Sequence, residues 1–139
     1  MTPLQIRHAT IEATMARFRD RPFAWGSVDC AKVAAFHLAQ VGIEIRLAKA
    51  GSYKTALGGK RALRRLGYST LPDMADGIGL TPIAPARMLL GDLAAVPGDN
   101  LIGTLCLYAG NGNLFGFHED HQALVTLQPT EILRAWSIL

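Results

Sequence analysis

An α+β fold, with helices first and a short antiparallel sheet after them, is predicted by three features of the sequence. Apolar residues recur at helical spacing between cap and glycine stop signals up to Gly67, a proline-containing stretch follows, and from Gly91 onward the texture changes to short β-like runs separated by turns. With 139 residues, 50% of them hydrophobic and 18% charged, the chain fits one domain around one core, and a disordered or low-complexity chain is excluded.

Each element has its own warrant. Residues 2–20 place Leu4, His8, Ile11, Met15 and Phe18 on one stripe with Arg7, Arg17 and Arg19 off it. That pattern predicts an amphipathic helix, with Thr2 as cap, Pro3 in the first turn and Arg21-Pro22 as its stop. Asp29 is an N-cap residue for a second helix over 30–41, which Gly42 ends. Ser52 caps a third helix that runs through Arg65 to Gly67, weakened by roughly 1 kcal/mol for each of Gly58 and Gly59. Lys54, Lys60, Arg61, Arg64 and Arg65 make this the most basic stretch, read either as a solvated face or as a contact for an anionic partner. Residues 68–90 carry three prolines and no clean period, and are read as a connector crossing the cleft, not a second domain. Strands are expected at 93–96, 102–108, 114–118, 123–127 and 135–139, with Ala109-Gly110-Asn111-Gly112-Asn113 turning between two of them. The helical part is thus about 1–67, the connector 68–90 and the sheet 91–139.

The formal charge of +3 is a mild excess, so a nucleic-acid partner is not expected. No apolar run is long enough for a membrane span, and Arg7, His8 and Glu12 interrupt the N-terminal stretch where a signal peptide would be apolar, so synthesis in the cytoplasm is expected. The apolar content is high for so small a chain, which suggests that part of the exterior is covered by other subunits. Cys30 and Cys106 are too few for a disulfide framework and lack zinc-like spacing, which directs attention to a free thiol.

The chemistry centres on Phe23-Ala24-Trp25-Gly26-Ser27-Val28-Asp29-Cys30-Ala31. If Asp29 caps the helix, Cys30 is its first residue, where unpaired N–H groups and the helix dipole favour a thiolate and could hold an oxyanion. A plain buried thiol is the alternative. The stretch resembles the N-terminal motif of the NlpC-type cell-wall cysteine peptidases, a papain-like family in which aromatic-Gly-x-x-Asp-Cys leads into the helix bearing the nucleophile. Gly91-Asp92-Leu93 is similar to the step into that family's first sheet strand, and Leu105-Cys106-Leu107-Tyr108-Ala109-Gly110 to its next. The resemblance implies a papain-like α+β fold, Cys30 in the nucleophile position and no cofactor. The whole set looks closest to small versions encoded near phage and prophage tail genes.

One position departs from the family. Where the family has its histidine base, counting back from Tyr108 and Gly110 gives Thr104, which cannot act as a base near neutral pH. His118 and His121, flanking Glu119-Asp120, are the candidate substitutes; the same cluster is only weakly zinc-like, so no metal is expected. His37 lies seven residues after Cys30, about 10 Å along a helix and beyond hydrogen-bond reach, and it and His8 are read as packing residues. Trp25 is a candidate cleft wall or core anchor, and Asp29 a cap or a substrate contact. Asp92 is read as a capping residue, Cys106 and Trp136 as core.

Two functions follow from the resemblance. One is a structural protein of a phage or prophage tail tip or baseplate that has lost the catalytic histidine, made in the host cytoplasm, carried on the virion tail and docked to other tail-tip or hub proteins. The other is an endopeptidase or amidase cutting peptidoglycan stem peptides, with Cys30 as nucleophile, His118 or His121 as base, and Trp25 and Asp29 lining the substrate.

Overall fold

Thr2 accepts a hydrogen bond from the Gln5 N–H while the Gln5 side chain accepts one from the Thr2 N–H, and this reciprocal cap with Pro3 starts helix α1 (Pro3–Phe18). The computed structural model describes residues 1–98, 101–117, 125–129 and 131–139. Helix α2 (Cys30–Ala39) starts at an Asp29 cap, as expected, and α3 (Ala56–Arg65) at a Thr55 cap, three residues later than Ser52. The stretch read as a bare connector is structured. Thr70 caps α4 (Leu71–Gly77), with Pro72 in its first turn, and the following residues form strand β1 (Thr81–Ile83). Rather than crossing the cleft, this stretch adds an edge to the sheet, where Pro82 is tolerated.

Strands β2 (Leu93–Val96), β3 (Thr104–Gly110), β4 (Asn113–Gly116), β5 (Val125–Leu127) and β6 (Arg134–Ser137) complete an antiparallel sheet in the order β1-β6-β2-β3-β4-β5. The β3–β4 turn uses positive φ at Gly110, Asn111 and Gly112, as its composition predicts. Leu93 is opposite Leu107, and Leu107 opposite Phe115. These side chains, with Ala95, Leu105 and Trp136, face the helices and join Ile11, Phe18, Val33, Leu38, Leu63 and Met74 in the main core. Burying each of the larger ones contributes about 1.5–3 kcal/mol. Ala94, Cys106 and Leu114 point to the opposite face.

The inward face of α1 differs from the apolar stripe. Arg7, Thr10, Ile11, Thr14 and Phe18 are buried, whereas Leu4 is 67% exposed and His8 stays outside beside Glu12. The reason is tertiary. The sheet and α2 present polar groups to α1, so Arg7 pairs with Asp92 and Thr14 meets His37 and Gln40.

Candidate functional site

The approach to Cys30 is a closed turn. Ala24 and Val28 exchange backbone hydrogen bonds, and Gly26 between them takes a φ of +85°. A side chain on Gly26 would run into the Tyr53 carbonyl, so position and neighbour both demand glycine. The Asp29 carboxylate gathers this turn, accepting from the Lys32 N–H (2.9 Å), the Gly26 N–H (2.8 Å) and the Tyr53 hydroxyl (2.7 Å). Asp29 is 2% exposed and both its oxygens are engaged. It therefore serves as cap and clasp, which accounts for its place in the motif without any substrate.

Cys30 is the first residue of α2, a free cysteine that is half-buried as a residue while its sulfur turns inward. The N-terminal position was expected to favour a thiolate, but the thiol pKa is pushed up to about 11. Desolvation is the largest cause and the neighbouring Asp29 charge adds to it; backbone hydrogen bonds from Leu105 and from Cys30 itself only partly offset them. Cys30 is thus a neutral thiol at pH 7. Its contact with the Leu105 backbone brings it to the start of β3, the strand that the buried Thr104 opens.

Of the four histidines, His8 and His37 are described, and both are engaged elsewhere. His8 lies 3.6 Å from Glu12 on the exposed side of α1. His37 is fully buried. Its Nε2 faces the Gly91 carbonyl at 2.7 Å and must donate to it, which leaves Nδ1 to accept from the Thr14 hydroxyl at 2.8 Å. Burial lowers its pKa to about 4, so the ring is neutral. His118 and His121 lie outside the described residues, as do Glu119 and Asp120. Among the described residues no cluster of His, Cys, Asp and Glu is arranged to hold a metal, and no helix is long and apolar enough to cross a membrane.

Trp25 is partly buried against the main core and stands edge-on to Phe23 (4.8 Å between centroids), which in turn stands edge-on to Phe117 (5.0 Å). This aromatic row starts within the Cys30 turn. A shallow apolar depression beside it is lined by Ala31, Tyr53, Gly59, Leu63 and Ile102, among others. Cys106 is core as expected, 1% exposed and on the far face of the sheet from the Leu105 side chain, with its thiol pushed up by burial. Trp136 is also core, its indole N–H donating to Asp76 at 2.7 Å. Asp92 accepts from Arg7, from the Leu89 N–H (2.8 Å) and from the Ile138 N–H (3.1 Å), so it is a strut in the way Asp29 is a clasp.

Tyr53 is the residue that sequence reasoning passed over. It follows Asp29 by 24 positions, in a segment without periodicity, and the Gly58-Gly59 pair reads in the sequence only as a weakness in the third helix. Those glycines bring α3 against the Tyr53 and Trp25 rings.

Comparison with known proteins places this geometry. Residues 2–138 match the family described as Domain of unknown function (DUF6950). None of the curated proteins matches the chain by sequence. Among solved structures, the chain is similar to the peptidoglycan hydrolase RipB from Mycobacterium tuberculosis, with a TM-score of 0.65 and 15% identity over 97% of this chain and 65% of that one. It is also similar to the P60 domain of antigen MAP1272c from M. avium paratuberculosis (TM-score 0.59, 14% identity, 95% and 91% covered). A third is RipD from M. tuberculosis, described as a non-catalytic NlpC/p60 domain protein adapted to peptidoglycan binding (TM-score 0.52, 13% identity, 97% and 98% covered). The fold is that of NlpC/p60 proteins, and the chain spans slightly less than two thirds of the RipB structure.

Proposed function

The chain belongs to the DUF6950 family, and from that membership, its NlpC/p60 fold and the state of its thiol we propose that it is a non-catalytic member of this fold serving as a structural subunit of a phage or prophage tail tip. In this role it is made in the host cytoplasm, docks to other tail-tip or hub proteins and travels on the virion. The observation that carries the reading is the Cys30 thiol. It is held neutral, with a pKa near 11, against the Leu105 backbone at the start of the strand that Thr104 opens, while both described histidines are committed to other partners. A cysteine peptidase needs an imidazole that takes the thiol proton and returns it to the leaving amine, and threonine does neither. RipD gives a precedent for an NlpC/p60 protein without catalysis. The tail-tip assignment draws on the resemblance of the motif set to small tail-gene versions and on an apolar content suited to assembly.

A second reading has one observation in its favour. Phe117, the residue before His118 in the sequence, stands edge-on to Phe23 in the aromatic row of the Cys30 turn. In that reading Cys30 is an active nucleophile against peptidoglycan stem peptides, with His118 or His121 as base.

Alkylation of Cys30 by iodoacetamide across a pH series, in a Cys106→Ala background, separates the two. The structural reading expects slow labelling with a midpoint near 11, or none in the folded protein. A midpoint well below about 8.5 signals an activated thiolate and overturns it. Cys30→Ala extends the test: the structural role expects intact particles with unchanged infectivity, whereas complete particles that infect poorly through an intact wall speak for the peptidase.

A further inference from the structure

Charge is segregated along the chain to a degree that the total of +3 conceals. Between Glu44 and Asp73 there is no carboxylate, yet Arg46, Lys49, Lys54, Lys60, Arg61, Arg64 and Arg65 all fall there; the segment carries +7 and the rest of the chain −4. Helix α3 displays the core of this charge. Its inward face is Gly59, Ala62 and Leu63, and successive residues turn by about 100°, so Leu57, Arg61 and Arg64 share the opposite face with Lys60 and Arg65 at its flanks.

Among the described residues nothing neutralises that face. Among the described residues the ion pairs are formed by Arg7, His8 and Arg134, and of the α3 cations only Arg65 has a hydrogen bond, to the Ala50 carbonyl. Like charges at Lys60 and Arg64, and at Arg61 and Arg65, sit four residues apart and cost the helix about 0.2–0.5 kcal/mol per pair. The helix dipole favours Arg64 and Arg65 in the last turn but does nothing for Lys60 and Arg61. At the head of this face Leu57 is 50% exposed, one turn from Lys60 and Arg61.

We propose that the outer face of α3 docks an acidic protein segment that carries an apolar anchor residue. Charge complementarity supplies the anionic character of the partner, and Leu57 decides its class. A leucine at one end of a cationic face gives an apolar side chain a seat, whereas a phosphate backbone gains nothing from it, and the face holds no aromatic ring on which a base would stack. The inference deepens the proposed docking role by naming the partner's chemistry, and it does not depend on thiol reactivity. An active Cys30 would overturn the proposed function and leave this surface standing.

Fluorescence anisotropy of the full chain tests it with four probes: a short acidic synthetic peptide with one central leucine, the same peptide with serine there, a short DNA duplex, and phosphatidylglycerol vesicles. The leucine peptide is expected to bind best, and the double variant Arg61→Glu/Arg64→Glu to weaken it by about tenfold or more. Leu57→Ser should weaken the leucine peptide several-fold and leave the serine peptide unchanged. All three positions are exposed, and unchanged circular dichroism verifies that the variants fold. Tighter binding to duplex or vesicles, equal binding of the two peptides, indifference to the charge reversal, or no peptide binding each overturns the proposal.

Discussion

Helix α2 carries a cysteine at its first residue and a histidine in its last turn, and its two ends behave in opposite ways. At the C-terminal end every polar group has a partner: His37 bridges Thr14 and Gly91, Gln40 donates to Thr14, and the adjacent Asp92 pairs with Arg7 and caps two backbone N–H groups. At the N-terminal end the Asp29 clasp is equally complete, but among the described residues the thiol it presents finds hydrogen bonds only to backbone and is held neutral by burial. One end has an imidazole with no nucleophile, the other a nucleophile with no described imidazole. A nucleophile position and a histidine on one helix therefore do not make a catalytic pair. What decides is which groups the rest of the fold turns toward each of them.

The comparison can be broken most severely at the C-terminal end. Asp92→Ala strands the buried Arg7 guanidinium and two backbone donors, and should cost about 3–5 kcal/mol in urea unfolding. A loss under about 1 kcal/mol would show that the network is ornamental.

The next largest effect is a pH dependence. His37 has a folded pKa near 4 against an ordinary 6.5, so the unfolded chain binds a proton there before the folded one does. The stability this group contributes is complete above about 6.5 and is lost as pH falls toward 4, by roughly 3 kcal/mol. The wild-type minus His37→Gln difference in unfolding free energy, followed from pH 7 to 4, should shrink accordingly. A flat difference would mean that the ring is not buried neutral.

At the N-terminal end Gly26→Ala forces a side chain into positive φ and against the Tyr53 carbonyl, and should cost about 2 kcal/mol while speeding Cys30 alkylation as the turn loosens. Unchanged stability would mean that the turn is not closed as described. The smallest effect belongs to Tyr53→Phe, which removes one of three hydrogen bonds to Asp29 and should cost about 1 kcal/mol by thermal melting. A loss as large as that of Asp92→Ala would make the two ends equals and remove the contrast.

Local signals were legible wherever neighbours in the sequence decide the structure. Thr2-Pro3, Asp29 and the Gly-Asn turn at 109–113 each specify a cap or a turn through their own side chains and backbone, and all stand where expected. The strand 93–96 was readable for the same reason. The stretch 68–90 was not. Thr70 and Pro72 are a cap and first turn of the kind recognised at Thr2-Pro3, but the helix they start is too short to show a period, and Thr81–Ile83 becomes a strand only because β6 lies beside it.

By itself the sequence determined the α+β class, the order of helices α1–α3 ahead of strands β2–β6, Cys30 at a helix start and the absence of histidine at position 104, because these depend on residue identity and on contacts a few positions apart. The tertiary structure alone decided which side of α1 is inward, what Tyr53 does, and that the thiol at that helix start is neutral. A dipole acts within one turn and can be read along the chain, whereas desolvation comes from groups such as the start of β3, some 75 residues away in sequence, that only folding brings to Cys30.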